Sequence, residues 1–251
     1  MFEILALDTS VFGLLALIAF IAGLIRGFSG FALSAVMMAG SALVLSPVQV
    51  IPICFWLEMT ASLLMVKGGL KDANKGVAIA LAIGSTLGVP LGLWLTLSVD
   101  VDTSRLLALA MICTLAAMQL ARIKMAFLAT KPGLYGSGVM AGIATGIASV
   151  GGMVVALYVL ARDAPAREMR GSLVLFLFIG SLTTAVSLVL FGVMDQKAVL
   201  RGLALAVPTA IGVVFGKLLF VPKWEPYYKP FCLCLLIALA VAGIARLVMT
   251  P

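Results

Sequence analysis

Apolar stretches long enough to cross a lipid bilayer follow one another along almost the whole chain. Of its 251 residues, 63% are hydrophobic and 11% are charged, whereas soluble domains carry about 25% charged residues. A membrane-spanning helix needs about 20 consecutive apolar residues, and runs of that order occupy 76–98, 172–193 and 198–221. Barrel strands would instead alternate apolar and polar residues in short segments. The composition therefore predicts an all-α polytopic membrane protein.

The remaining residue types exclude several kinds of function. The chain has no histidine, and its four cysteines lie inside apolar runs without the spacing of metal ligands or of a secreted disulfide framework. We therefore expect no metal and no cofactor. The formal charge of +7 is spread over short loops, which argues against a nucleic-acid partner and favours loops that orient the protein among membrane lipids.

Ten apolar segments form two similar sets of five. They occupy 10–26, 30–46, 48–66, 76–98 and 105–122 in one half, and 134–149, 151–161, 172–193, 198–221 and 231–248 in the other. Residues 80–95 also match 204–219 with their glycines in register. We interpret the two halves, 1–128 and 129–251, as repeats within one membrane domain. The alternative is that any two glycine-rich membrane helices look alike.

The distribution of basic residues predicts that the second repeat is inverted. Basic loops lie at 67–75, 122–131, 162–170 and 223–229, and acidic residues mark the N-terminus and the turns at Asp100 and Asp195. Basic loops stay in the cytoplasm, so each half must contain an odd number of segments. The predicted fold is an inverted structural repeat of two halves, each with a broken or re-entrant helix pair followed by three transmembrane helices.

The predicted breaks lie in glycine-rich sequences at 23–30 and 142–152. The first two segments of each half are too short for comfortable spans, since the arms within 134–160 reach only about 20 Å each. Backbone inside a bilayer must be hydrogen-bonded internally, so a break survives only beside protein or a wet cavity. Paired breaks in two halves are typical of transporter binding sites.

The two breaks supply candidate residues for binding an anion. Glycine permits turns that expose backbone N–H groups, and the start of the following helix attracts negative charge. The candidates are Arg26, Gly27, Phe28, Ser29 and Gly30 at the first break and Thr145, Gly146, Ser149, Gly151 and Gly152 at the second. Arg26 would add forked donors suited to oxyanions. Alternatively, its side chain reaches the cytoplasmic interface.

Further polar side chains lie inside apolar runs. Glu58 is the only acid well within such a run; it pairs with Arg26, carries a proton that couples transport to the proton gradient, or serves as a structural partner for a neighbouring helix. The second half offers hydroxyls that either line a cavity or pack between helices. These are Ser181, Thr183, Thr184 and Ser187.

With these motifs in view, the chain resembles the sulfite exporter TauE/SafE family of bacterial membrane proteins. The resemblance rests on 26–31, 46–52, 146–152 and 160–165. It implies export of sulfite, an organosulfonate or a related small sulfur or carboxylic anion across the inner membrane, with both glycine motifs near the substrate path. Many relatives have a longer glycine run where this chain has 31–33, and a proline in place of Met153.

We therefore expect a secondary transporter working by alternating access, and not an enzyme. Its partners would be a small anionic substrate and, as one option for the coupling ion, protons. One alternative is a membrane subunit that scaffolds an assembly or senses a ligand without transport. Another is an intramembrane transferase, which would require clustered catalytic acids or histidines.

Overall fold

The computed structural model describes residues 8–42, 44–123, 125–162, 166–219 and 225–249, and these contain helices and no strands. The first half has α1 (Thr9–Ser29), α2 (Leu33–Ser41), α3 (Pro47–Asp72), α4 (Lys75–Ser98) and α5 (Val101–Leu120). After a 3₁₀ turn (Ala126–Ala129), the second has α6 (Lys131–Ala148), α7 (Gly151–Ala161), α8 (Ala166–Leu190), α9 (Gln196–Leu218) and α10 (Glu225–Met249). The all-α prediction is confirmed.

Parts of three sequence predictions lie outside the described residues. They are the outward N-terminus at 1–7, the basic loops where these include 124, 163–165 and 223–224, and the 160–165 motif at its last three positions.

Seven helices among the described residues are long and apolar enough to cross a membrane. They are Thr9–Ser29, Pro47–Lys67, Lys75–Ser98, Val101–Leu120, Arg170–Leu190, Gln196–Leu218 and Pro230–Met249. Large apolar side chains on their outer faces, such as Leu87, Trp94 and Leu190, are more than half exposed, as expected where lipid replaces water. The chain is a multi-pass membrane protein.

Each half contains one short helix directly after a break. Helices α2 and α7 have 9 and 11 residues, or about 14 and 17 Å of length, and cannot cross a bilayer. The sequence also predicted a short first arm, which is wrong for α1: its 21 residues run unbroken through Gly23 and Gly27. Both glycines face α9, where a Cβ would overlap the carbonyl oxygens of Thr209 and Val213.

The two breaks share a left-handed residue at the end of the first helix. They differ at the start of the next helix, where the first break has Ala32 with φ 72° and the second has Val150 with φ −106°. Helix α1 ends at Gly30 with φ 83°, and α6 ends at Ser149 with φ 57°. Both residues are left-handed, a common way to end a helix. The N–H of Gly30 donates to the carbonyl of Arg26, and that of Ser149 donates to the carbonyl of Thr145. The turns thus fall at Gly30 and Ser149 rather than at Gly27 and Gly146.

Glycine-lined interfaces hold each break against a helix of the other half. Helix α4 packs on α6, where a Cβ on Gly92 would overlap the carbonyl oxygen of Ile143 and lie 2.9 Å from Gly146 Cα. Helix α9 packs on α1, where a Cβ on Gly216 would overlap the carbonyl oxygen of Leu24. Small residues allow membrane helices to approach this closely. Helices α3 and α8 pack against each other between these two interfaces.

Candidate functional site

A cavity of about 40 Å³ lies between the two breaks. Ser34, in the first turn of α2, brings the first break to its wall, and Thr145 and Ser149 bring the second. Helices α3, α4 and α8 provide the remaining wall. A space of about 10–15 Å³ holds one water molecule, so the cavity has room for roughly three.

Helices α3 and α8 each present one stripe of side chains to the cavity. Their lining residues repeat at positions i, i+3, i+4 and i+7, the spacing that places side chains on one helix face. The stripes are Ile51, Cys54, Phe55 and Glu58 on α3, and Leu177, Gly180, Ser181 and Thr184 on α8. Phe176 adds to the apolar part of the wall. One stripe therefore carries a carboxyl group where the other carries hydroxyls.

Hydroxyl groups make up most of the polar lining. They belong to Ser34, Ser85, Thr145, Ser149, Ser181 and Thr184. A hydroxyl both donates and accepts, and its hydrogen rotates to suit the partner. In this structure the hydroxyl of Thr145 donates to the carbonyl of Ala141 at 2.8 Å. Such groups can bind water or an oxyanion without carrying a charge of their own.

Arg26 lies in the protein interior next to this cavity. Its side chain is 0% exposed, whereas a side chain that reaches the membrane surface keeps its head group in water. Nη1 donates to the carbonyl of Gly30, and Nη2 donates to Ser62 Oγ at 3.3 Å. Nε lies 3.3 Å from Glu58 Oε2. The structure thus buries Arg26 behind the first break.

Glu58 stands at the cavity wall and contacts both charged and neutral partners. Its Oε1 accepts from Ser34 Oγ at 2.8 Å, while Oε2 faces Arg26. Neither Arg26 Nε nor Glu58 Oε2 has a hydrogen-bonding partner among the described residues, although the two atoms are close. The ion pair therefore lacks an aligned hydrogen bond. Of its two members, Glu58 lines the cavity and Arg26 does not.

Most of the other candidates at the first break shape the backbone. A Cβ on Gly27 would lie 2.8 Å from Gly216 Cα, and one on Gly30 would lie 2.9 Å from Arg170 Cγ. Ser29 Oγ lies 2.7 Å from the carbonyl oxygen of Ile25 and 2.8 Å from that of Phe31, so it can donate to either. Phe28 is half-buried against the core. None of these four candidates lines the cavity.

The second break places two of its five candidates in the cavity wall. Thr145 and Ser149 line it. Gly146 is helical and packs against Gly92. A Cβ on Gly151 would overlap the Thr145 hydroxyl, and one on Gly152 would lie 3.3 Å from the Leu177 side chain. These glycines bring helices together around the cavity.

Sequence reasoning missed two lining hydroxyls, Ser34 and Ser85. Ser34 follows the first break closely enough to lie in the first turn of the next helix, which was a usable signal. Ser85 follows Gly84 on the glycine-rich helix α4 and gives no such signal. Of the second-half hydroxyls, Ser181 and Thr184 line the cavity, whereas the Thr183 hydroxyl donates to the carbonyl of Gly180 at 3.0 Å.

The start of α8 contacts the first half of the chain. Arg170 Nη2 donates to the carbonyl of Gly27, near the C-terminus of α1. The N–H of Asn74 donates to Ser172 Oγ at 2.9 Å, and its side-chain amide donates to Glu168 at 3.3 Å. Sequence analysis treated Arg170 only as an orienting charge. These contacts connect the two halves on the side predicted to be cytoplasmic.

The described residues include no group of three or more histidine, cysteine, aspartate or glutamate side chains that could hold a metal ion.

A family model, described as Sulfite exporter TauE/SafE, matches residues 15–243. The matched region contains both breaks and every residue of the cavity wall. No curated protein and no solved structure matches the chain significantly.

Proposed function

The chain belongs to the sulfite exporter TauE/SafE family, and we propose that it exports sulfite across the bacterial inner membrane as a secondary transporter. The family is one of membrane transporters of sulfite and related anions, not of enzymes. The observation that carries the proposal is the hydroxyl-lined cavity shared by the two breaks. Transport, rather than a scaffold or sensor role, gives the hydroxyls of this cavity a use.

The size of the cavity favours a small inorganic anion. Its volume of about 40 Å³ corresponds to roughly three water molecules, and the three oxygens of sulfite would replace them. Among the candidate anions we therefore propose sulfite over the larger organosulfonates.

The proposed anion contacts come from hydroxyls and from helix N-termini. The first N–H groups of a helix have no intrahelical acceptor and carry partial positive charge. Helices α2 and α7 begin at Leu33 and Gly151, next to Ser34 and Ser149 in the wall. Sulfite oxygens would accept from Ser149 and Thr184, with Arg26 behind them as the balancing charge.

The inverted repeat stays a prediction, and the paired glycine interfaces support it. Exchanging the halves converts the contact of Gly92 with Ile143 into that of Gly216 with Leu24, and converts the turn at Gly30 into the turn at Ser149. In repeats of this kind, one unit rocks against the other around a central site. We propose alternating access by this motion, with repeats at 1–128 and 129–251.

In that motion, the contacts at the start of α8 would close the cytoplasmic side. The hydrogen bonds from Arg170 to Gly27 and from Asn74 to Ser172 connect the halves there. Opening toward the cytoplasm would break them, whereas opening toward the outside would leave them intact. The coupling ion we propose is the proton, carried by Glu58.

The proposal is tested by counterflow, in which vesicles containing the purified protein and unlabelled sulfite take up radiolabelled sulfite. Thr184→Val removes a cavity hydroxyl with little change in shape. A hydrogen bond to a charged group contributes about 1.5–3 kcal/mol, so sulfite affinity should fall about tenfold to a hundredfold. The matched control is Thr183→Val, whose hydroxyl bonds within α8 and whose loss should leave transport unchanged.

Equal losses in the two variants would contradict the proposed site. Absence of counterflow by the wild-type protein would contradict transport itself and would favour a scaffold or sensor role.

A further inference from the structure

We propose that Glu58 and the transported anion exclude one another at the guanidinium of Arg26, so that each anion binds together with one proton. This inference rests on the proposed function and deepens it. It assigns Glu58 a defined place in the transport cycle and fixes the ratio of protons to anions at one.

The order of groups at the cavity wall carries the inference. Arg26 uses Nη1 and Nη2 to bind the carbonyl of Gly30 and the hydroxyl of Ser62. Its Nε faces Glu58 Oε2 at 3.3 Å without forming a hydrogen bond. Because Glu58 lines the cavity and Arg26 does not, an entering anion meets the carboxyl group first. The positive charge that would attract the anion is already matched by Glu58.

An ionised Glu58 would place a second negative charge beside the anion, which disfavours the charged form of both. Protonation removes that charge and leaves Arg26 as the counter-ion of the anion. A protonated carboxyl group also gains an O–H donor, which would point to an anion oxygen. Ser34, whose hydroxyl is 2.8 Å from Oε1, holds the carboxyl group in place in both states.

The other groups around Glu58 are neutral or are engaged elsewhere. The Cys54 thiol interacts electrostatically with Glu58, and hydroxyls face it from α2, α6 and α8. Four charged side chains on α8 and α9 have other partners: Glu168 with Asn74, Arg170 with Gly27, Arg201 with Asp195 and Lys217 with Leu64. Proton exchange at this wall of the described structure is therefore assigned to Glu58.

This arrangement defines a balanced cycle. The empty site holds Glu58 ionised against Arg26. The loaded site holds the anion against Arg26 and one proton on Glu58. Compared with the empty site, it therefore carries one added positive charge from the proton and the added negative charge of the anion. Export of a monovalent anion with this proton would move no net charge, so the concentration gradient of the anion itself would have to drive export. Return of the empty site would restore the ion pair.

The test compares sulfite binding to the wild type and to Glu58→Gln at several pH values. Glutamine keeps an acceptor for Ser34 but cannot ionise. The titration of sulfite itself is the same in both proteins and cancels in the ratio of their Kd values. If each anion binds with one proton, the wild-type Kd should rise by up to about tenfold per pH unit relative to that of the variant as the pH increases. Asp102→Asn, an exposed carboxylate paired with Arg105, is the matched control and should follow the wild type.

A measurement on the wild type covers the case in which Glu58→Gln fails to fold. Infrared difference spectra recorded on adding sulfite should gain the band of a protonated carboxyl group and lose one from a carboxylate, whereas chloride should give neither change. Sulfite binding with a constant Kd ratio, or with no carboxyl band, would overturn the exclusion and leave the proposed function standing. Failure of sulfite to bind to the folded wild type would instead overturn the proposed function.

Discussion

The glycine interface between α1 and α9 makes a stability prediction that depends on a single methyl group. In Gly216→Ala the new Cβ would overlap the carbonyl oxygen of Leu24 and lie 3.0 Å from Gly27 Cα. Both neighbours are backbone atoms, so no side-chain rotation relieves the overlap. The two helices must move apart, and the first break moves with α1.

The cost follows from that separation. Overpacking a close interface costs about 1–3 kcal/mol, and a gap of about 1 Å along the rest of the interface forfeits up to half of the attraction between facing atoms. Alanine favours the helix over glycine by about 1 kcal/mol, which offsets part of the loss. We expect Gly216→Ala to destabilise the protein by about 1–2 kcal/mol.

Two controls separate packing from helix propensity. A Cβ on Gly13, on α1, has no neighbour within 4 Å, so Gly13→Ala should stabilise by about 0.5–1 kcal/mol. Gly92→Ala tests the corresponding interface, because its Cβ would overlap the carbonyl oxygen of Ile143. Its cost should match that of Gly216→Ala if the two interfaces are equivalent.

The assay is thermal unfolding in detergent micelles, followed with a dye that fluoresces on reacting with exposed thiols. Cys54 and Cys232 are buried and report loss of structure. Gly216→Ala and Gly92→Ala should unfold below the wild type and Gly13→Ala slightly above it. Equal unfolding temperatures for Gly216→Ala and Gly13→Ala would refute the packing argument.

Two further predictions concern the ends of the helices. Arg170→Met removes the hydrogen bond to the carbonyl of Gly27, so Cys54 should react faster with a thiol reagent added to the cytoplasmic face of inside-out vesicles; a rate equal to that of the wild type would exclude Arg170 from closing this side. The hydrogen bonds from the backbone N–H and hydroxyl of Thr103 hold the pKa of Asp100 below its ordinary value. The ionised Asp100 therefore stabilises the folded protein above the unfolded pKa of about 4. This stabilisation is lost as the pH falls through the lower pKa of the folded state. Asp100→Asn should therefore flatten the pH dependence of the unfolding temperature between these two pKa values.

Helix positions followed from the sequence where apolar runs end at capping residues. The predicted run at 76–98 became Lys75–Ser98 because the Asn74 side chain accepts from Val77 N–H at the start of the helix. Helix α3 continues to Asp72 and α8 begins at Ala166, beyond the predicted runs. The predicted runs were too short because hydropathy marks only the part of a helix that lies in lipid. The charged ends of these two helices extend beyond that part.

The candidate site was predictable in location but only partly in its side chains. Gly30 forms a turn, whereas Gly27 and Gly146 allow helices to pack closely. A single sequence does not show which of these two roles a glycine has. The sequence offered the pair of Arg26 and Glu58 as one of three alternatives for Glu58, and the structure contains this pair. Which of the two lines the cavity depends on how α1 and α3 pack, and local sequence does not encode that.

The central claim is that a small anion binds in the space shared by the two chain breaks. Crystals grown with sulfite and measured at long wavelength would locate every sulfur atom, with the thirteen methionines and four cysteines as internal markers. The account predicts one additional sulfur peak inside the cavity, between Ser34 and Ser149 and close to Cys54 Sγ. Additional sulfur found only outside the cavity, with the cavity holding water at saturating sulfite, would contradict it.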